Sequence, residues 1–259
     1  MSPKVKPAIV LVHGAWHVPE HYSDFIQHLQ HAGFEVSCPR LPTCDEAKRP
    51  TADMFSDAQV VRDQVFSVID KSREVIMLLH SYGGAVGTEA VNGLSVSERA
   101  TRGLKGGVLH LIYMCGFMLQ VGECVGGASL PRPDPDPVES DAATSTTFLC
   151  EPPVELFYAD VEPERAKRME RLLTRQSGKA MTDAVTYPAW QHIPTTYLRT
   201  QDDLVLFPDW QERQIKAVRD AGASLTIETF ESSHSPFLSM PLEMVAAVER
   251  VVERQATTC

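Results

Sequence analysis

No two cysteines in this chain stand at C-x-x-C spacing. The six, Cys38, Cys44, Cys115, Cys124, Cys150 and Cys259, are scattered through 259 residues. Neither a zinc site nor a redox dithiol is indicated, and reduced thiols are the expectation. Long apolar runs are missing too. No stretch reaches the roughly 18 residues of a membrane-spanning helix, and the start, MSPKVKPAIVLVHGAW, holds no apolar segment of signal-peptide length. A cytoplasmic protein is therefore expected. Positive charge is also short: 24 Lys and Arg against 34 Asp and Glu leave a formal net charge of -10. Nucleic acids and anionic membranes repel such a surface, so neither is an expected partner. The charge is silent about small neutral substrates.

What is present is an alternation of short apolar runs with helical periodicity. Ala8 to Val12 is a compact apolar run ending at His13-Gly14. Residues 19–33 place Tyr22, Phe25, Ile26 and Leu29 at helical spacing and stop at Gly33, a C-cap residue. A second strand is expected at 34–38, a helix at 54–69, a strand over Val75–Leu79 within REVIMLL, and another within GGVLHLIYMCGF. The rhythm returns with strands at 195–200 and 224–230 and helices at 208–221 and 241–255. Strands alternating with helices imply right-handed crossovers and a mostly parallel central sheet flanked by helices. Between them the pattern changes. SLPRPDPDPVESDAATSTT is expected to be irregular, and EPERAKRMERLLTRQ reads as a charged helix. Residues 118–188 are thus a helical cap inserted into a core of residues 1–117 and 189–259.

The stretch LLHSYGGAVGTEA sets Ser81 between a buried strand and a small-residue helix. A strained turn there lifts a hydroxyl above the sheet, where the first helical amides point at whatever binds. That geometry suits a nucleophile, although Leu79 stands where such elbows usually carry glycine. A nucleophilic serine needs a base, and the base needs a carboxylate to fix its tautomer. Both belong after later strands. Asp202 and Asp203 follow the strand at 195–200, and His234 alone among nine histidines lies between the last strand and the last helix. The oxyanion hole calls for the amide of Tyr82 and one from the loop after the first strand, that of Ala15, with Gly14 allowing close approach. His13, His17 and His21 fall at i, i+4, i+8, but Gly14 and Pro19 break the helix that would align them. No metal and no cofactor are expected.

VLVHGAWH, HSYGG, FYADV, AWQHIPTTYL and SSHSPFLSMPLEM resemble the α/β-hydrolases related to plant methyl esterases and hydroxynitrile lyases, with their microbial relatives. The likeness spans nearly the whole chain. It implies an α/β-hydrolase fold and a triad of Ser81, His234 and an aspartate of RTQDDLVLFP, Asp203 being preferred to Asp202. In the lyase branch a threonine replaces Gly14 and a lysine follows the catalytic histidine, where this chain has Ser235. The resemblance therefore favours hydrolysis of an ester, thioester or lactone through an acyl-enzyme. C–C bond chemistry on the same triad, or a receptor-like ligand-binding role, is the alternative. Trp16, Tyr82, Phe117 and Met118 beside the catalytic loops, with Phe148, Phe157, Tyr158, Tyr187 and Trp190 of the insertion, predict an apolar pocket for a hydrophobic or aromatic group. Gly14, Trp16, Phe117, Met118 and Trp190 are the candidate substrate-binding residues, and a homodimer is compatible with the sequence.

Overall fold

The computed structural model describes residues 5–44, 52–128, 138–142, 145–149 and 153–258. Six strands form one parallel sheet: β1 (Ala8–Val12), β2 (Val36–Ser37), β3 (Glu74–His80), β4 (Gly107–Met114), β8 (Thr195–Thr200) and β9 (Leu225–Phe230), in the order β2-β1-β3-β4-β8-β9. The inner strands read as unbroken apolar runs because helices cover both faces of the sheet. In β3 every residue from Val75 to His80 is buried. Each fully buried Val, Leu or Ile there contributes about 1.5–3 kcal/mol. The helix Met54–Ile69 opens at Asp53, whose carboxylate accepts from the Ser56 N–H, and turns Met54, Ala58, Val61 and Val65 inward.

Register decides where the loops meet. Val12 pairs with Leu79, His80 with Met114, Met114 with Leu198, and Thr200 with Phe230. The segments after β1, β3, β4, β8 and β9 therefore all emerge at one edge, the carboxyl edge, where open α/β sheets place their sites.

Between β4 and β8 the chain leaves the sheet. Besides short helices such as Pro153–Tyr158 and Pro163–Glu170, this insertion carries an antiparallel sheet of β5 (Val138–Asp141), β6 (Thr146–Leu149) and β7 (Gln176–Ser177). The segment expected to be irregular thus holds two strands, while its residues 129–137 lie outside the described residues. Among the described residues, no helix is long and apolar enough to cross a membrane.

Candidate active site

Ser81 directly follows β3 with φ +53, a left-handed conformation that costs a non-glycine residue about 1–2 kcal/mol. The turn is held in that shape from three sides. The Ser81 N–H donates to the Met114 carbonyl at 3.3 Å, and the Ser81 carbonyl accepts from Gly84 N at 2.8 Å and Phe117 N at 3.0 Å. Glycine is forced at two places by backbone. A Cβ on Gly83 would lie 2.3 Å from the Val12 carbonyl oxygen, and one on Gly84 2.6 Å from Phe117 N. The helix Gly83–Ala90 can start against the sheet only because both side chains are missing. Leu79, the departure from the usual elbow, is accommodated by Gly87, where a Cβ would come within 2.2 Å of Leu79 Cδ2.

His234 and Asp203 meet at this edge. The His234 Nδ1–H donates to Asp203 Oδ2 at 2.8 Å, with both side chains fully buried. Asp203 also accepts from Thr200 Oγ1 at 2.8 Å, Val205 N at 2.9 Å and Leu206 N at 2.8 Å. Every neighbour donates, the arrangement a carboxylate anion needs when buried. Asp202 is exposed and makes no part of this set. With Nδ1 committed as donor, His234 Nε2 is the basic lone pair, and it is buried without a hydrogen-bond partner. The expected Ser81–His234 hydrogen bond is not closed here, since His234 Nε2 has no partner and Ser81 Oγ makes no hydrogen bond among the described residues. Such bonds are often long in unliganded sites and tighten on binding.

The two sides of the site are joined through His80, which the sequence reading passed over. Its Nε2–H donates to the His234 carbonyl at 2.9 Å. Its Nδ1 accepts from the Tyr22 hydroxyl at 2.7 Å, whose oxygen takes the Gly14 N–H at 3.0 Å. Burial drives His80 well below the usual histidine pKa and keeps it neutral, as this chain of donors requires. Gly14 sits hard against the elbow: a Cβ there would be 2.9 Å from His80 Nδ1 and 3.1 Å from Ser81 Cβ. Beside it, the Ala15 and Tyr82 amides donate to nothing among the described residues. Two free N–H groups flanking a raised serine are the donors that an oxyanion calls for.

His80, Cys115 and His234 offer ligand atoms within 4.8 Å of one another. The Cys115 thiol and His80 Nε2–H, however, both donate to the His234 carbonyl, and His234 Nδ1 is taken by Asp203. The histidine series after β1 is equally occupied. His13 bridges Gly14 O and Leu41 N, His17 bridges Ala15 O and the Tyr158 hydroxyl, and His21 bridges Val18 N and Met169 O. Burial lowers the pKa of His13 and His21 to about 4 and holds that of His17 well below the usual histidine value. These rings are neutral hydrogen-bond posts, with no lone pair free for a cation.

The candidate pocket residues divide. The Trp16 ring lies 6.2 Å from Phe157, and the Phe157 ring 5.7 Å from His234. Phe117 braces the elbow through its backbone. Met118 is buried, takes Gln214 as partner for its N–H, and lines a cavity of about 340 Å³ with Gln120, Arg213 and Gln214. Trp190 is 1 % exposed and its indole N–H donates to the Leu119 carbonyl, so packing accounts for it. Tyr187 stacks on His192 and donates to Glu98. The Phe148 side chain lies outside the described residues. Two site-building residues carry no role in the sequence pattern: Asp57, which takes the Tyr82 hydroxyl, and Asp160 of FYADV, which binds Ser232 and Ser233 just before His234. Asp57 had a legible signal, a lone carboxylate on the buried stripe of its helix.

Residues 9–248 match the profile described as the alpha/beta hydrolase family. The chain is 31 % identical over 239 residues to the alpha/beta hydrolase nvfD of Aspergillus novofumigatus, covering 92 % of this chain and 93 % of that protein. Among solved structures, a pyrethroid hydrolase from Sphingobium faniae superposes with a TM-score of 0.76 at 22 % identity, covering 97 % of this chain and 99 % of that one. The Arabidopsis methylesterase MES16 gives 0.74 at 20 %, covering 95 % and 99 %.

Proposed function

The chain belongs to the alpha/beta hydrolase family, and within that family we propose that it is a serine hydrolase acting on an ester, thioester or lactone of a hydrophobic or aromatic small molecule. One observation carries this reading: an Asp203-anchored His234 presents an unpartnered Nε2 at the sheet edge where Ser81 is raised between two free amides. In the proposed reaction His234 takes the Ser81 proton as the hydroxyl attacks the carbonyl. The Ala15 and Tyr82 amides stabilise the oxyanion, and His234 protonates the leaving oxygen or sulfur. Water activated by His234 then releases the acid. Asp203 holds the imidazole tautomer and stabilises the imidazolium.

A neutral, apolar substrate is supported by the histidines of the loop after β1, which burial keeps uncharged, and by the aromatic rings of Trp16 and Phe157. Residues 118–188 serve as the specificity-bearing cap. The names of the pyrethroid hydrolase and the methylesterase point to ester chemistry on the same fold. The test is exposure to a fluorophosphonate followed by mapping of the adduct, with multiple turnover on p-nitrophenyl esters. A label on Ser81 and turnover lost in Ser81→Ala are expected; a folded chain that takes no label overturns the proposal.

A further inference from the structure

Behind the two free amides runs a buried polar relay that ends in the insertion. Gln176, fully buried, is fixed in place by the pairing of β7 with Thr147 of β6. Its Oε1 accepts from the Trp16 N–H at 3.4 Å and the Cys44 thiol at 2.6 Å. Its Nε2 donates to Thr43 Oγ1 at 2.7 Å. Thr43 passes its own hydroxyl proton to Asp57 Oδ2 at 2.5 Å and its N–H to Asp57 Oδ1 at 3.0 Å. The Tyr82 hydroxyl completes the set on Asp57 Oδ2 at 2.7 Å.

Donor directions leave one consistent arrangement. Thr43 has a single hydroxyl proton and spends it on Asp57, so its lone pair must face the Gln176 NH2. That fixes the Gln176 amide with its oxygen toward Trp16. Trp16 in turn carries φ +58, a conformation that bulky residues avoid, and it is pinned a second and third time: Thr174 N–H donates to its carbonyl and its indole N–H to the Thr147 carbonyl. The peptide joining Ala15 to Trp16 is thus gripped on both sides, its N–H by Gln176 and its carbonyl by His17.

We infer that Gln176 is a positioning residue for the oxyanion hole, holding the Ala15 arm through the Trp16 amide and the Tyr82 arm through Thr43 and Asp57. The inference rests on the hydrolase reading above. The two donors come from loops after different strands, and Gln176 is the residue from which both are braced. The insertion therefore sets the geometry of the charge-stabilising site as well as covering it. Preorganised donors matter for charge that develops in the transition state and little for ground-state binding, so the relay acts on kcat rather than on KM.

The experiment compares two ligands that share one apolar chain. A trifluoromethyl ketone adds Ser81 across its carbonyl: the Ser81 Oγ–C bond forms, the serine proton goes to His234, and the oxygen becomes an oxyanion in the hole. The matching secondary alcohol forms no bond. In Gln176→Met, similar in length but without polar atoms, ketone affinity is expected to fall about tenfold and kcat with it, alcohol affinity and KM changing less than about twofold. Tyr82→Phe cuts the same relay at its far end with the loss of one oxygen, and the same selective loss is expected even if the cap variant does not fold. Equal weakening of both ligands in Tyr82→Phe, or no change in either, overturns the inference. A wild-type chain whose Ser81 takes no phosphonate overturns the hydrolase reading together with this inference. A labelled wild type with unchanged selectivity in Tyr82→Phe overturns this inference alone.

Discussion

The His234 Nδ1–H reaches the Oδ2 of Asp203 at 2.8 Å, while the adjacent carboxylate of Asp202 stands exposed and its backbone N–H pairs with the Ser232 carbonyl. Two neighbouring aspartates thus have different surroundings. Asp203→Asn would replace an acceptor by an amide facing Nδ1 and favour the wrong tautomer, a change that costs about 10⁴ in kcat where it has been measured in such triads. A loss of about 10³–10⁴ is expected for Asp203→Asn and less than about twofold for Asp202→Asn, read from steady-state hydrolysis of a p-nitrophenyl ester. Equal effects from the two would remove Asp203 from the mechanism.

Gly87 and Leu79 are a matched pair. In an ordinary helix Gly→Ala gains about 1 kcal/mol, but here the new methyl would meet Leu79 Cδ2 at 2.2 Å inside the core. Gly87→Ala is expected to cost about 1–3 kcal/mol by overpacking, and Leu79→Ala about 2–5 kcal/mol by leaving a cavity. The double variant should cost less than the sum of the singles by at least about 1 kcal/mol, measured by urea unfolding as a double-mutant cycle. Strict additivity would show that the two side chains do not compete for one space.

That pair also marks how far the sequence could be read. The elbow was visible because a buried parallel strand is a continuous apolar run and Ser-x-Gly closes it, and the ends of Met54–Ile69 and Thr195–Thr200 follow from periodicity alone. Residues 34–38 shrink to Val36–Ser37 because β2, at the sheet's edge, finds only Ile9 and Val10 as partners. The charged helix expected over 162–176 ends at Glu170, since Thr174 N donates to the Trp16 carbonyl and Gln176 pairs with β6. Tertiary hydrogen bonds outweigh local propensity there. What stayed hidden is the polar scaffolding: His80, Gln176 and Asp160 act through partners 58 to 154, 132 to 160 and 72 to 73 residues away, as the separations to Tyr22, His234, Cys44, Trp16, Ser232 and Ser233 show. No local pattern encodes such pairings.

Burial of neutral histidines makes stability fall in mild acid. Burial lowers His13 and His21 from the ordinary 6.5 to about 4. Between those values the unfolded chain binds protons that the folded chain refuses, so their contribution is complete above pH 6.5 and is lost as pH falls toward 4. Each group adds a slope of up to about 1.4 kcal/mol per pH unit. Asp57 works the other way. Burial raises it from 3.8 to about 6, so its protonated form favours the fold as pH falls through 6. The expected net result is declining urea stability from pH 6.5 to 4, flattened by about one proton in His21→Gln, where the amide keeps a donor and an acceptor but cannot titrate. A pH-independent stability over that range would show these rings to be solvated.

Asp160 ties the insertion to the segment that carries the proposed base. Its Oδ2 accepts from Ser232 Oγ at 2.8 Å and the Ser233 N–H at 3.1 Å, and its Oδ1 takes the Ser233 hydroxyl. Burial opposes the charge, yet the Ser233, Ser232 and Ser239 hydroxyls together hold Asp160 below the usual carboxylate pKa. Asp160→Asn keeps size and shape but puts an NH2 where a hydroxyl or N–H now donates, so at least one bond to residues 232 and 233 is lost. His234 then sits on a looser tether, and misplacement by a fraction of an ångström lowers kcat by about tenfold. Because Phe157 and the other apolar contacts are untouched, KM should change less than about threefold, and Asp160→Glu, which retains the acceptors on a longer stem, should recover part of the rate. Steady-state kinetics on one ester across the three proteins reads the split. A change confined to KM would mean that Asp160 shapes the pocket and leaves the base alone.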